Sequence, residues 1–78
     1  KYLDVSYNYL VGINNYYFPD CSNLEVFFAS HNNIVNVDKN SFVNSPKLNT
    51  IYFGNNPIDK YFKISVNGGS LDFEVRKN

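Results

Sequence analysis

The side chains able to do chemistry are few. Ser30 and His31 are adjacent, and with Asp4 they supply the types of a nucleophile, a general base and an orienting carboxylate. The order of the chain argues against that use. Neighbouring residues on an extended strand point to opposite faces, and a flat sheet offers neither a pocket nor a preorganised oxyanion site. No catalytic residue is therefore assigned, and no enzymatic activity is expected of this segment. One thiol, Cys21, and one imidazole give no zinc set and no intrachain disulfide framework. Cys21 reads as a small buried hydrophobe, with an intermolecular disulfide as the alternative. Asp4, Glu25, Asp72 and Glu74 are scattered, without the spacing of a calcium loop. Asn67-Gly68-Gly69 lacks the lysine and the following helix of a phosphate cradle, and reads as a turn. No metal and no cofactor is implied.

Charge and hydropathy exclude further classes. Seven basic and seven acidic residues among 78 leave zero net charge, so the basic footprint of a nucleic-acid binder is missing. No apolar run approaches the roughly 20 residues of a spanning helix, so direct membrane insertion is not expected. Seven Tyr and seven Phe within an apolar share of 44% are enough to build a core. A lone globule of this length would still be marginal, because small domains bury a smaller share of their surface. Asn is abundant and Lys far outnumbers Arg, a bias in keeping with A/T-rich coding, so not every Asn is read as selected.

What must position these side chains is a repeat. Leu3-Asp4-Val5-Ser6-Tyr7-Asn8-Tyr9-Leu10, Phe27-Phe28-Ala29-Ser30-His31-Asn32-Asn33-Ile34 and Ile51-Tyr52-Phe53-Gly54-Asn55-Asn56-Pro57-Ile58 share one pattern: apolar, any, apolar, any, any, Asn, any, apolar. Asn8, Asn32 and Asn56 are spaced by 24 residues at both steps. Leu24 and Leu48 precede the second and third segments at the same offset. Ile13, Val37 and Tyr61 follow each Asn by five residues, and Phe18, Phe42 and Val66 by ten.

The pattern L-x-x-L-x-L-x-x-N-x-L is met by Leu24, Phe27, Ala29, Asn32 and Ile34, and again by Leu48, Ile51, Phe53, Asn56 and Ile58. In this the chain resembles the leucine-rich repeat family, and the 24-residue unit with its late Phe is similar to the class common in extracellular receptors and adhesion proteins. The resemblance implies an α/β-type repeat solenoid. It would be a right-handed superhelix with a short parallel sheet on its concave face, loops and 3-10 turns on its convex side, and little regular helix. The chain departs from the pattern at Ala29, which is small, and at Cys21, Ser45 and Gly69, which replace a second late Leu.

Physical reasoning fits that shape. Strands returned by a crossover every 24 residues must stack parallel, and each turn buries its apolar set against the next. A buried Asn needs partners for both its donor and its acceptor. Asn8, Asn32 and Asn56, with Asn78 if the pattern continues, are expected to form a structural ladder bonded to backbone of their own and neighbouring turns. Phe18 and Phe42 are expected to stack on the convex side. The chain reads as one segment: repeat 1 over 1–23, repeat 2 over 24–47, repeat 3 over 48–69, and a partial repeat 4 or a C-terminal hairpin strand over 70–78. Phe73-Glu74-Val75-Arg76-Lys77-Asn78 fits the start of a fourth unit. Ile64-Ser65-Val66 and Leu71-Asp72-Phe73 around Asn67-Gly68-Gly69-Ser70 fit a hairpin. The fourth repeat is the favoured reading. Flanking repeats or caps are expected outside these residues, and the isolated chain is expected to be weakly stable or self-associating.

Side chains pointing out of the strands line the concave face, where such proteins bind. The candidate ligand-binding residues are Tyr2, Asp4, Tyr7, Phe28, Ser30, His31, Thr50, Tyr52 and Asn55. Phe28 and Tyr52 are neighbours in one column, with Tyr7 and His31 in the next, and aromatics are enriched at interface hot spots. The expected function is a recognition module, a fragment of a longer array binding a protein ligand in an extracellular or surface-exposed setting. A cytoplasmic setting stays open. The alternative is a structural piece of a large viral or surface assembly, packed against neighbouring chains through its open ends and convex side.

Overall fold

A computed structural model describes residues 1–14 and 21–77. Strands β1 (Tyr2–Asp4), β3 (Val26–Phe28) and β5 (Thr50–Tyr52) form a parallel sheet in the order β1-β3-β5. Between them in sequence lie β2 (Gly12–Ile13) and β4 (Asn36–Val37), a second parallel pair. A 3-10 helix (Pro57–Lys60) then leads into β6 (Phe62–Asn67) and β7 (Ser70–Val75). Among the described residues it is the one helical element.

The register reproduces the repeat. Leu3 pairs with Phe27 and Phe27 with Ile51, while Ile13 pairs with Val37. Each step is 24 residues, so both parallel sheets advance by one unit. The backbone ladder runs past the strand ends. Val5 N–H donates to Phe28 O at 2.8 Å, Tyr7 to Ser30 O at 3.0 Å, Ala29 to Tyr52 O at 2.8 Å and His31 to Gly54 O at 3.0 Å. The β2–β4 pair was not foreseen, since two-residue strands are too short to show alternation.

Phe27, Ala29, Ile34, Phe42 and Leu48 are fully buried, joined by Leu24, Ile13, Val37, Phe53, Ile58 and Leu71. The Phe27 ring lies 5.3 Å from that of Phe42 and 6.1 Å from that of Phe53, both tilted as aromatic pairs prefer. Phe42 is fully buried against Phe27. Its expected stacking partner, Phe18, lies outside the described residues.

Asn32 and Asn56 are buried and bonded across turns. Asn56 Nδ2 donates to Phe53 O at 2.9 Å in its own turn and to Ala29 O at 2.9 Å in the turn before. Its Oδ1 accepts from Asn32 N–H at 3.1 Å and Ile34 N–H at 3.0 Å. Asn32 repeats the scheme, donating to Ala29 O and Val5 O, both at 3.1 Å, and accepting from Leu10 N–H at 3.0 Å. Asn8 is exposed and, among the described residues, donates within its own turn, to Val5 O at 2.8 Å and Ser6 O at 3.1 Å.

Three expectations need correction. First, β6 and β7 pair antiparallel, with Phe62 opposite Val75, Ile64 opposite Phe73 and Val66 opposite Leu71. The segment is a hairpin and not the start of a fourth parallel unit; Asn78 lies outside the described residues. Gly68 and Gly69 have φ of 59° and 84°, the positive pair that a two-residue hairpin turn demands. Second, Tyr61 does not share the buried column of Ile13 and Val37; it is 65% exposed. The 3-10 helix and the hairpin shift the chain by one residue, and Phe62 packs against the core instead. Third, Cys21 is half-buried rather than buried, while Ser45 and Gly69 in the same column are buried. Cys21 belongs to the first turn, which among the described residues has a neighbouring turn on one side.

The hairpin packs one face against the stack through Phe62, Ile64, Val66, Leu71 and Phe73. Two anchors fix it. Gly69 N–H donates to Leu48 O at 3.3 Å, and Arg76 donates through Nη2 to Asp59 Oδ1 at 2.9 Å and through Nε to Asp59 O at 2.6 Å.

Candidate functional site

The outward face of the β1-β3-β5 sheet is built in columns by the 24-residue register. Tyr2, Val26 and Thr50 form one column, and Asp4, Phe28 and Tyr52 the next. Leu3 and Phe27 between them point into the core, so alternation alone turns the outer residues to the open side. Beyond the strands follow Ser6, Ser30 and Gly54, then Tyr7, His31 and Asn55.

These columns organise their rings. Phe28 and Tyr52 stack with centroids 5.0 Å apart and planes 6° from parallel. Tyr7 and His31 stack at 4.3 Å and 8°. Tyr2 meets Phe28 edgewise at 6.4 Å. Asn55 Nδ2 and His31 Nε2 lie within hydrogen-bond distance, 3.2 Å apart. Five of the candidate residues make ring contacts in two groups, Tyr2 with Phe28 and Tyr52, and Tyr7 with His31. Ser30 is half-buried beside Gly54, and the Thr50 hydroxyl donates to Asn49 Oδ1 at 2.8 Å.

Tyr7, His31 and Asn55 share a backbone feature that sequence reasoning missed. Their φ values are 60°, 59° and 60°, all left-handed. Asn tolerates this region, but for Tyr7 and His31 it costs about 1–2 kcal/mol each. The turn it produces aims the following Asn side chain inward at the carbonyls behind it, and the hydrogen bonds of Asn32 and Asn56 offset the strain. Asn at position 55 was the only signal of this geometry; Tyr and His at the equivalent places conceal it.

Ser30, His31 and Asp4 do not assemble a relay. His31 Nε2 faces Asn55, and Asp4 Oδ1 accepts from Ser6 N–H at 2.9 Å.

A leucine-rich repeat family model matches residues 1–58. The chain belongs to the leucine-rich repeat family. Domains of this family generally mediate protein–protein interaction and are typically non-enzymatic. No curated protein and no solved structure gives a significant match. The matched span ends inside the 3-10 helix, so the hairpin lies beyond the repeat pattern.

Proposed function

We propose that this leucine-rich repeat segment is a recognition module that binds a protein ligand through the outer face of β1, β3 and β5. The observation that supports it most is the pair of cross-strand stacks, Phe28 on Tyr52 and Tyr7 on His31. Rings that are already packed against each other lose little side-chain freedom when a partner covers them. Tyr2, Tyr7 and Tyr52 are exposed, and a hydroxyl-tipped ring is the side chain that serves best half-wet at an interface. The test is the double substitution Phe28→Ala, Tyr52→Ala in the full protein. Partner affinity should fall by about thirty-fold or more, as for a hot-spot pair. Unchanged affinity with an intact fold would refute the reading. An extracellular or surface-exposed setting is part of the proposal, supported by the repeat length, and is checked by locating the tagged full-length protein.

The assembly reading has an observation of its own. Among the described residues no strand lies beside the outer edge of β1, and Leu3, Val5 and Leu10 below it are only half-buried. A neighbouring chain or a further repeat could cover that end. The opposite end is occupied by the hairpin, so packing through both open ends is not supported. Concentration-dependent sedimentation of the full protein separates the two readings, because an uncovered edge in the isolated segment would self-associate under either.

A further inference from the structure

The recognition face has a charge asymmetry that narrows its partner. The four columns hold Tyr2, Val26, Thr50; Asp4, Phe28, Tyr52; Ser6, Ser30, Gly54; and Tyr7, His31, Asn55. They include one carboxylate and no lysine or arginine. Asp4 is exposed on β1 and is the register partner of Phe28. Its Oδ1 accepts from Ser6 N–H at 2.9 Å, which fixes the carboxylate in place, while no bond among the described residues occupies its Oδ2. Tyr52 covers one side of the Phe28 ring, and β1, with Asp4, lies on the other. Tyr2 stands edgewise to the same ring at 6.4 Å.

We propose that Asp4, Phe28 and Tyr2 form a guanidinium site, and that the partner segment bound by this face is led by an arginine. This inference rests on the recognition reading above and names the chemistry of its partner. A guanidinium is planar. It can lie along an aromatic ring while its N–H groups reach a carboxylate beside that ring, which a lysine ammonium does less well. The stacked aromatics then receive the apolar remainder of the segment. An acidic partner would be repelled by Asp4 and would find no lysine or arginine on the face.

The experiment is a selection of displayed seven-residue random peptides on the full chain, followed by affinity measurements with the synthetic winners. Winners should carry arginine. Asp4→Asn keeps the acceptor for Ser6 N–H and removes only the charge, so the fold should survive. Phe28→Leu keeps apolar bulk and removes the ring. Each should weaken an arginine winner by about five-fold, the range of an exposed ion pair or cation–π contact. Replacing the peptide arginine with citrulline should weaken it similarly, and the Asp4→Asn effect should then vanish. Winners that lack a cation but lose binding in the Phe28→Ala, Tyr52→Ala double variant would overturn the guanidinium site and leave the recognition face standing. Arginine winners indifferent to Asp4→Asn would overturn it as well. Winners indifferent to every substitution on the face would overturn both.

Discussion

The two ends of the stack are made from the same repeat and have different fates. In the first turn Leu3, Val5 and Leu10 are half-buried and Asn8 is exposed. In the third turn the equivalent Phe53, Asn56 and Ile58 are buried, and Ile51 is half-buried. Sequence pattern does not distinguish the two sets. What differs is the cover: the β6–β7 hairpin lies over the third turn, and no described residue lies over the first. A repeat position acquires a buried environment only from the turn on each side of it. Burial in such a protein is therefore a property of the neighbour as much as of the residue.

The sharpest way to break this contrast is to pry off the cover. A side chain at Gly69 would have to adopt φ of 84°, run into the Phe42 carbonyl oxygen and come within 2.8 Å of that of Ser45. Gly69→Ala should cost about 4 kcal/mol, or release the hairpin outright. Chemical denaturation measures the first outcome, and faster amide exchange over 62–75 the second. The paired Asn substitutions come next. Asn32→Leu strips partners from buried carbonyls and from Leu10 N–H, and should cost about 3 kcal/mol. Asn8→Leu at the exposed end should cost under about 1 kcal/mol. Equal melting shifts would mean that the ends are not different in the way described.

Smaller effects sharpen the same comparison. Leu71→Ala empties a buried site in the cover and should cost about 2–3 kcal/mol, whereas Leu3→Ala at the half-buried end should cost about 1 kcal/mol. Smallest is Arg76→Ala, which removes a partly exposed pair with Asp59 at 2.9 Å. It should cost at most about 1 kcal/mol and act mainly by fraying the end of β7.

Much of this arrangement was legible from the residues. The spacing of Asn8, Asn32 and Asn56 led to the parallel order and its 24-residue register. Period-two alternation placed Phe28 beside Tyr52 on the open side. The stacking of their rings was not legible, because it depends on rotamers and not on register. The hairpin was visible as an alternative in Ile64, Val66, Leu71 and Phe73 around two glycines. It lost to a pattern in which half the positions accept any residue, so that Phe73 and Val75 matched a repeat by chance. Tyr61 misled for a related reason: an apolar type at the right offset says nothing once the chain has left the repeat. The left-handed turns at Tyr7 and His31 were hidden because residue types disfavoured there are held by the hydrogen bonds of the Asn that follows.

Everything functional above depends on the turns lying side by side. The most direct test is a nuclear Overhauser spectrum of the chain in solution. It should connect Leu3 with Phe27 and Phe27 with Ile51 across parallel strands, and Ile64 with Phe73 across antiparallel ones. Antiparallel contacts between the first three strands, or the short-range pattern of helices over 1–58, would contradict the account.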